Sequence, residues 1–168
     1  MNGTNQSLSL RQRNYQQKEG ERFLQFSLQG GINALIPLAD LHGTMEVSLQ
    51  EILPVPQVDQ FWLGIINWQG EAIWIVDLGV LIGSSHWCQQ DNILPSGTVI
   101  LIAIEGNIIG LLVEEVNGIE TYESQLCLPM TGLSPNPRWE TVFKGYFLSD
   151  TGEPYLVFDT TSLKDILH

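Results

Sequence analysis

The side chains best equipped for chemistry in this chain are three histidines (His42, His86, His168), two cysteines (Cys88, Cys127) and the adjacent acids Glu114-Glu115. A zinc site needs ligands that converge, and on local spacing that means pairs such as C-x-x-C or H-x-x-x-H. His86-Trp87-Cys88 is the only close His/Cys pair and has neither spacing, so no metal and no cofactor are expected. A general acid/base pair needs two carboxyls that face each other, whereas neighbours on a strand point to opposite faces. Glu114 and Glu115 therefore read as strand acids and not as a catalytic pair. No nucleophile elbow, P-loop or G-x-G-x-x-G is present. The enzymatic alternative that survives is a small-barrel ligand- or metal-binding enzyme using Cys88, Cys127 and the histidines.

A second kind of chemistry is recognition. The stretch GIINWQGEAIWIVDL, Gly64 to Leu78, joins two apolar runs at Gln69-Gly70 and places Trp68 beside that turn. A two-residue turn pairs position n with 139 − n, which puts Trp68 opposite Glu71 and Trp74 opposite Ile65. One face then carries Trp62, Gly64, Ile66 and Trp68, and the other Phe61, Leu63, Ile65 and Asn67. Both faces are apolar over their middle, so both need cover, one from a local barrel and one from elsewhere. At the tip that cover is thinnest. Trp68 and Gln69 read as partner contacts, because interface anchors are enriched in Trp, against the plainer reading of a well-packed turn. Gly64 and Gly70 serve close approach and positive φ. Asp77 reads as a cap on the helix that follows, not as a catalytic acid.

Charge narrows the partners. Arg11, Arg13, Lys18 and Arg22 against Glu19 and Glu21 make the first 22 residues +2, and the remaining three bases and seventeen acids make −14. A body this acidic repels phosphate backbones and anionic lipid, which excludes nucleic-acid binding as its task and points to a basic surface on its partner. Residues 1–21 are rich in Asn, Gln, Ser and charge and read as a disordered polar tail; residues 22–168 read as the folded domain. No signal-peptide pattern opens the chain, and the apolar reach from Val99 to Val113 is broken at Glu105-Gly106-Asn107. No membrane insertion and a cytoplasmic location are expected.

The elements that position these residues are β. Leu24, Phe26 and Leu28 alternate with polar residues, and Gly30-Gly31 turns the chain into Ile32–Ile36. The opening stretch is a second hairpin. A third runs from Thr98 to Val116 with its turn at Gly106-Asn107, and a fourth from Val142 to Phe158 across Asp150-Thr151-Gly152. Each return strand ends on an acid beside an apolar residue: Asp40-Leu41, Asp77-Leu78, Glu115-Val116 and Phe158-Asp159. A last helix presents Leu163, Ile166 and Leu167 on one face. The connections 43–60, 83–97 and 123–141 are long and carry prolines. Many short strands with little helix indicate a mainly β fold in closed or nearly closed sheets. This pattern leaves one sandwich and two small barrels both open.

ILPVP, FWLGIINWQGEAIWIVDL, GNIIGLLVEEV and FKGYFLSDTGEPYLVFD, taken together, resemble the CheW-like domain family, from about Phe23 to Leu167. The best signature is G-apolar-apolar-N-x-R-G followed by a strand ending in D-L; Gly64, Asn67, Gly70, Asp77 and Leu78 match it. The resemblance implies two small five-stranded, SH3-like barrels on a shared hydrophobic core with short helices. It implies a non-catalytic adaptor of chemotaxis-type signal transduction, coupling a chemoreceptor's cytoplasmic helical tip to the regulatory domain of a CheA-type histidine kinase. Its partner-binding residues would be Asn67, Trp68, Gln69, Gly70, Glu71 and His42. Gln69 stands where the family usually has arginine, Trp74 where proline is usual, and His42 where an acid is common. The Pro37-Leu38-Ala39-Asp40-Leu41 run and the Gln/Asn-rich tail are more like the family's type IV pilus branch than its flagellar adaptor.

Overall fold

The computed structural model describes residues 20–83 and 96–166. His86, Cys88, Leu167, His168 and all but the end of the expected tail lie outside these residues. The described residues form ten strands: β1 Glu21–Leu28, β2 Ile32–Pro37, β3 Leu41–Ser48, β4 Trp62–Trp68, β5 Glu71–Asp77, β6 Ser96–Ile104, β7 Asn107–Val113, β8 Glu115–Tyr122, β9 Phe143–Leu148 and β10 Pro154–Phe158. Three short helices lie among the same described residues: α1 Leu78–Leu81, α2 Pro137–Val142 and α3 Thr160–Ile166. The strands form two five-stranded sheets, in the orders β8-β1-β2-β10-β9 and β3-β6-β7-β5-β4.

The order of strands shows that the chain is built twice. In each half a hairpin (β1–β2 or β6–β7) is followed by a strand that crosses to the other sheet (β3 or β8). A second hairpin follows in that other sheet (β4–β5 or β9–β10), and then a helix. Each sheet thus takes two strands from one half and three from the other. The second hairpins lie parallel to the first hairpins of the opposite half, β5 on β7 and β10 on β2. Closure repeats too. The chain leaving β3 passes a 3-10 turn, Leu49–Glu51, and bridges Leu53 to Ile65 of β4. The chain leaving β8 passes Ser124–Leu126 and bridges Leu128 to Tyr146 of β9. Both bridges are reciprocal backbone pairs, at 2.8 and 2.9 Å in each case.

Packing explains why the strands are apolar on both faces. On β7, Leu111 and Val113 enter a core shared by the two sheets, while Leu112 between them points into the interior of its own barrel. On β10, Leu156 and Phe158 enter the shared core and Val157 the other barrel's interior. A strand covered on both sides reads as a continuous apolar run, as the sequence does here. Phe26, Phe143, Phe158 and Leu163 are fully buried in the shared core, the last from α3. Ile166 packs against the same core.

The structure corrects four expectations. The third hairpin turns at Glu105-Gly106, because Ile104 pairs with Asn107 and glycine takes the second central position. Glu114 lies between β7 and β8, its N–H donating to the Ser27 carbonyl, so the two acids do not share a strand. The connections 43–60 and 123–141 contain most of β3 and the helix α2. The helix starts on Asn136, whose side-chain oxygen accepts from Arg138 N–H, with Pro137 at a position where no amide donor is needed. Strand β1 begins at Glu21, one residue inside the expected tail.

Candidate partner-binding site

The β4–β5 hairpin keeps the expected register from Trp68–Glu71 down to Gly64–Ile75. Its turn residues Gln69 and Gly70 have φ of 49° and 82°. Left-handed geometry at both central positions is the type I′ turn, whose twist matches that of the flanking strands. Asn67 Oδ1 accepts the Gly70 N–H at 3.1 Å, which gives Asn67 a role in holding the turn. Gln69 is the costly member, a non-glycine residue at positive φ, and its side chain is exposed at the apex.

Below Gly64 the register slips by one. Trp62 pairs with Val76, and Leu63 is the extra residue of a bulge at Gly64, whose φ is 150°. Glycine is needed because a Cβ there would overlap the Leu53 carbonyl, with its carbon only 2.8 Å away. The bulge corrects the expected faces. Leu63 turns into the barrel interior with Ile66, Ile73 and Ile75, and Trp62 moves to the outer face beside Trp74. Trp74, the departure from the family's proline, thereby gains an edge-on aromatic neighbour, with ring centroids 5.2 Å apart at 67°.

Trp68 is half-buried and packs on the barrel interior from its rim. Its nearest aromatic neighbour is His42, at 5.9 Å and 75°, the edge-to-face arrangement. His42 is itself the extra residue of a bulge, since Leu41 pairs with Ile102 and Gly43 with Leu101. The structure therefore brings all six candidate residues to one end of one barrel. Asn67, Gln69, Gly70, Glu71 and His42 are exposed there, around a Trp68 that packs on the barrel interior.

Asp77 is almost fully buried and caps α1, accepting from Val80 N–H at 3.3 Å. Asp159 plays the same part for α3, accepting from the N–H and hydroxyl of Thr161 at 3.1 and 2.6 Å. Thr160 donates to Asp40 at 2.8 Å, tying the start of α3 to the short 3-10 turn Leu38–Asp40. Cys127 sits in the wall of the other barrel with Tyr122 and Tyr155 around its interior, and burial pushes its thiol above the ordinary 9.0. A raised thiol pKa is the reverse of what a nucleophile or metal ligand requires. Among the described residues no group of three or more His, Cys, Asp or Glu is placed to hold a metal, and no helix among them is long and apolar enough to cross a membrane.

The profile of the CheW-like domain matches residues 22–166, nearly the whole chain. The chain belongs to the CheW-like domain family. Membership makes it a non-catalytic chemotaxis-type scaffold, and the small-barrel enzyme reading gains no support. The fold agrees with the solved structure of scaffolding protein TtCheW from Thermoanaerobacter tengcongensis. The two superimpose with a TM-score of 0.70 at 19% identity, over 83% of this chain and 89% of that one. No curated protein sequence matches the chain. What sequence reading missed at this CheW-like hairpin is the pair of bulges, at Gly64 and His42. A glycine inside an apolar strand was the available signal for the first, and nothing local marked the second.

Proposed function

We propose that this CheW-like protein couples a chemoreceptor's cytoplasmic helical tip to the regulatory domain of a CheA-type histidine kinase, and that the β4–β5 tip is one of its contact surfaces. The observation that carries the reading is the His42–Trp68 pair: an aromatic anchor held against its own barrel, ringed by the exposed Asn67, Gln69, Gly70 and Glu71. Pre-ordered aromatics of this kind lose little freedom on binding. Glutamine at the apex offers two donors and an acceptor where arginine would offer five donors in a fixed fork. The partner groove for Gln69 is thus expected to be less acidic than one that fits the family's usual residue. The Pro37–Leu41 run and the tail composition support a pilus-type motility system, and a cytoplasmic site of action follows from such coupling.

The test is calorimetric titration of the full chain with the regulatory domain of the CheA-type kinase from the same source. Trp68→Ala is expected to weaken binding by about 2 kcal/mol, the usual threshold of an interface hot spot; because Trp68 packs on its own barrel, the unfolding midpoint falls as well, and the titration is run well below it. Unchanged affinity for both kinase and receptor tip would remove the tip from the interface. Because residues 23–168 carry −14, affinity should also fall between low and physiological salt.

A further inference from the structure

On the side of the hairpin away from His42 lies a groove of about 780 Å³. Its floor is the parallel pair β5–β7, where Trp74 stands beside Ile109, with Trp62 against Trp74. Glu71 of one hairpin tip and Glu105 of the other form its rim. The matching surface of the other half, over β10–β2, is lined by the chain itself. Leu133, Pro135 and Trp139 stand there beside Ile32, Pro154 and Leu156, leaving about 380 Å³. Those covering residues come from the connection 129–142, whereas its counterpart, 54–61, is six residues shorter and supplies no such cover. The repeat therefore shows what this face takes in one half, namely polypeptide, and among the described residues no connection covers it in the other.

The charge of the occupant is also marked. Lys164 of α3 reaches the rim and its Nζ meets Glu105 Oε1 at 2.7 Å, with both side chains about half-exposed. A cation thus already sits where an acidic rim meets an aromatic floor, the surroundings that favour ammonium or guanidinium groups. We propose that the groove docks a segment of another protein that presents an arginine or lysine flanked by aliphatic side chains, the incoming cation competing with Lys164 for Glu105. The chain's own basic tail is the less apt occupant, because it leaves from β1 at Tyr122, in the other sheet. Glu71 borders both this groove and the Trp68 contact, but Trp74, Glu105 and Lys164 belong to the groove alone, so its test does not depend on that contact.

The experiment follows amide and indole shifts of the labelled full-length protein during titration with N-acetyl-Leu-Arg-Leu-amide, with N-acetyl-Leu-Glu-Leu-amide as control. The arginine peptide should shift Ala72, the Trp74 indole, Asn107 and Ile109, and the glutamate peptide should not. Glu71→Gln and Trp74→Leu should each weaken binding by about two- to fivefold, as expected for one partly exposed cation contact. Lys164→Gln should tighten it, an effect that a merely structural lysine would not produce. Shifts elsewhere, equal response to both peptides, or weaker binding in Lys164→Gln would overturn the proposal. So would groove shifts in the peptide-free protein that change in Arg11→Glu/Arg13→Glu, since the tail would then be the occupant.

Discussion

The closure of one barrel at Leu53–Ile65 and of the other at Leu128–Tyr146 uses the same backbone geometry with different side chains. Residues 41–53 and 116–128 correspond at a constant spacing of 75, so that His42 matches Asn117, Gly43 matches Gly118, and Val47 and Ile52 match Tyr122 and Cys127. Both stretches carry the bulge, at His42 and at Asn117, and both end in a 3-10 turn before the bridge. Around the first closure Val47 and Ile52 are buried and His42 packs on Trp68. Around the second, Tyr122 stacks on Phe147 at 4.6 Å, while Ile119, Leu126 and Leu148 are 48–60% exposed. The position equivalent to Trp68 is Ser149. What the halves share is what closes a barrel; what distinguishes them is surface, which is where partner recognition is free to diverge.

The sharpest way to break the comparison is at the glycines beneath the bridges. A Cβ at Gly145 would lie 2.5 Å from the Leu128 carbonyl oxygen and 2.6 Å from Cys127 Sγ, and one at Gly64 would overlap the Leu53 carbonyl at a φ that side chains avoid. Gly64→Ala is expected to cost about 4 kcal/mol, overpacking and strain together, and Gly145→Ala about 2–3 kcal/mol from overpacking alone. Urea unfolding of the two variants decides the matter. If Gly145→Ala is neutral, the two closures are not equivalent.

Next in size is a test of interlocking. Leu111 faces the shared core and Leu112 the interior of one barrel. Either leucine replaced by alanine should cost about 3 kcal/mol, within the usual range for buried Leu→Ala. Because each barrel holds strands from both halves, both variants should still unfold in one transition by fluorescence and circular dichroism. Two separated transitions in Leu112→Ala would show that the barrels are independent after all.

The caps give a smaller contrast. Asp77 is buried at 2% exposure and Asp159 is partly exposed, though both accept the first free amides of a helix. Asp77→Ala should cost about 2 kcal/mol and Asp159→Ala about 0.5–1 kcal/mol, the two ends of the range for N-caps. Equal losses in thermal unfolding would mean that burial adds nothing to the first cap.

The same division explains what could be read from the residues alone. The four hairpins and both aspartate caps were legible, because their strands are apolar on two faces and their turns carry glycine. The crossing strands β3 and β8 were not. LHGTMEVS and EVNGIETY lie at sheet edges; Met45 and Val47 of the first and Tyr122 of the second face barrel interiors, but each strand carries few large apolar residues and is interrupted by a bulge, which blurs the alternation. At the candidate site, the six residues could be named from the family resemblance, but their convergence could not. His42 reaches Trp68 only because β3 crosses to the opposite sheet, a step that leaves no mark in local sequence.

The smallest expected effect separates the two closures by pH. Burial is the main cause that raises Tyr122 above 10.0, with Glu120, Tyr155 and Asp150 adding to it. Burial likewise raises Cys127 above 9.0, Glu21 reinforcing it while Lys144 and a hydrogen bond from the Tyr146 backbone oppose it. A group whose pKa is higher folded than unfolded favours the native state fully while it is neutral in both states, and this contribution is lost as pH rises through the folded value. Stability should therefore begin to fall above pH 9 through Cys127 and above pH 10 through Tyr122. Val47 and Ile52, at the matching places of the other barrel, cannot titrate. Urea midpoints measured from pH 7 to 11 should show a shallower alkaline decline in Cys127→Ser/Tyr122→Phe than in the unsubstituted chain. A substitution in the first closure such as Val47→Ala should lower every midpoint without changing the slope. An alkaline slope that the double substitution leaves intact would place the titrating groups elsewhere and remove the chemical distinction between the two closures.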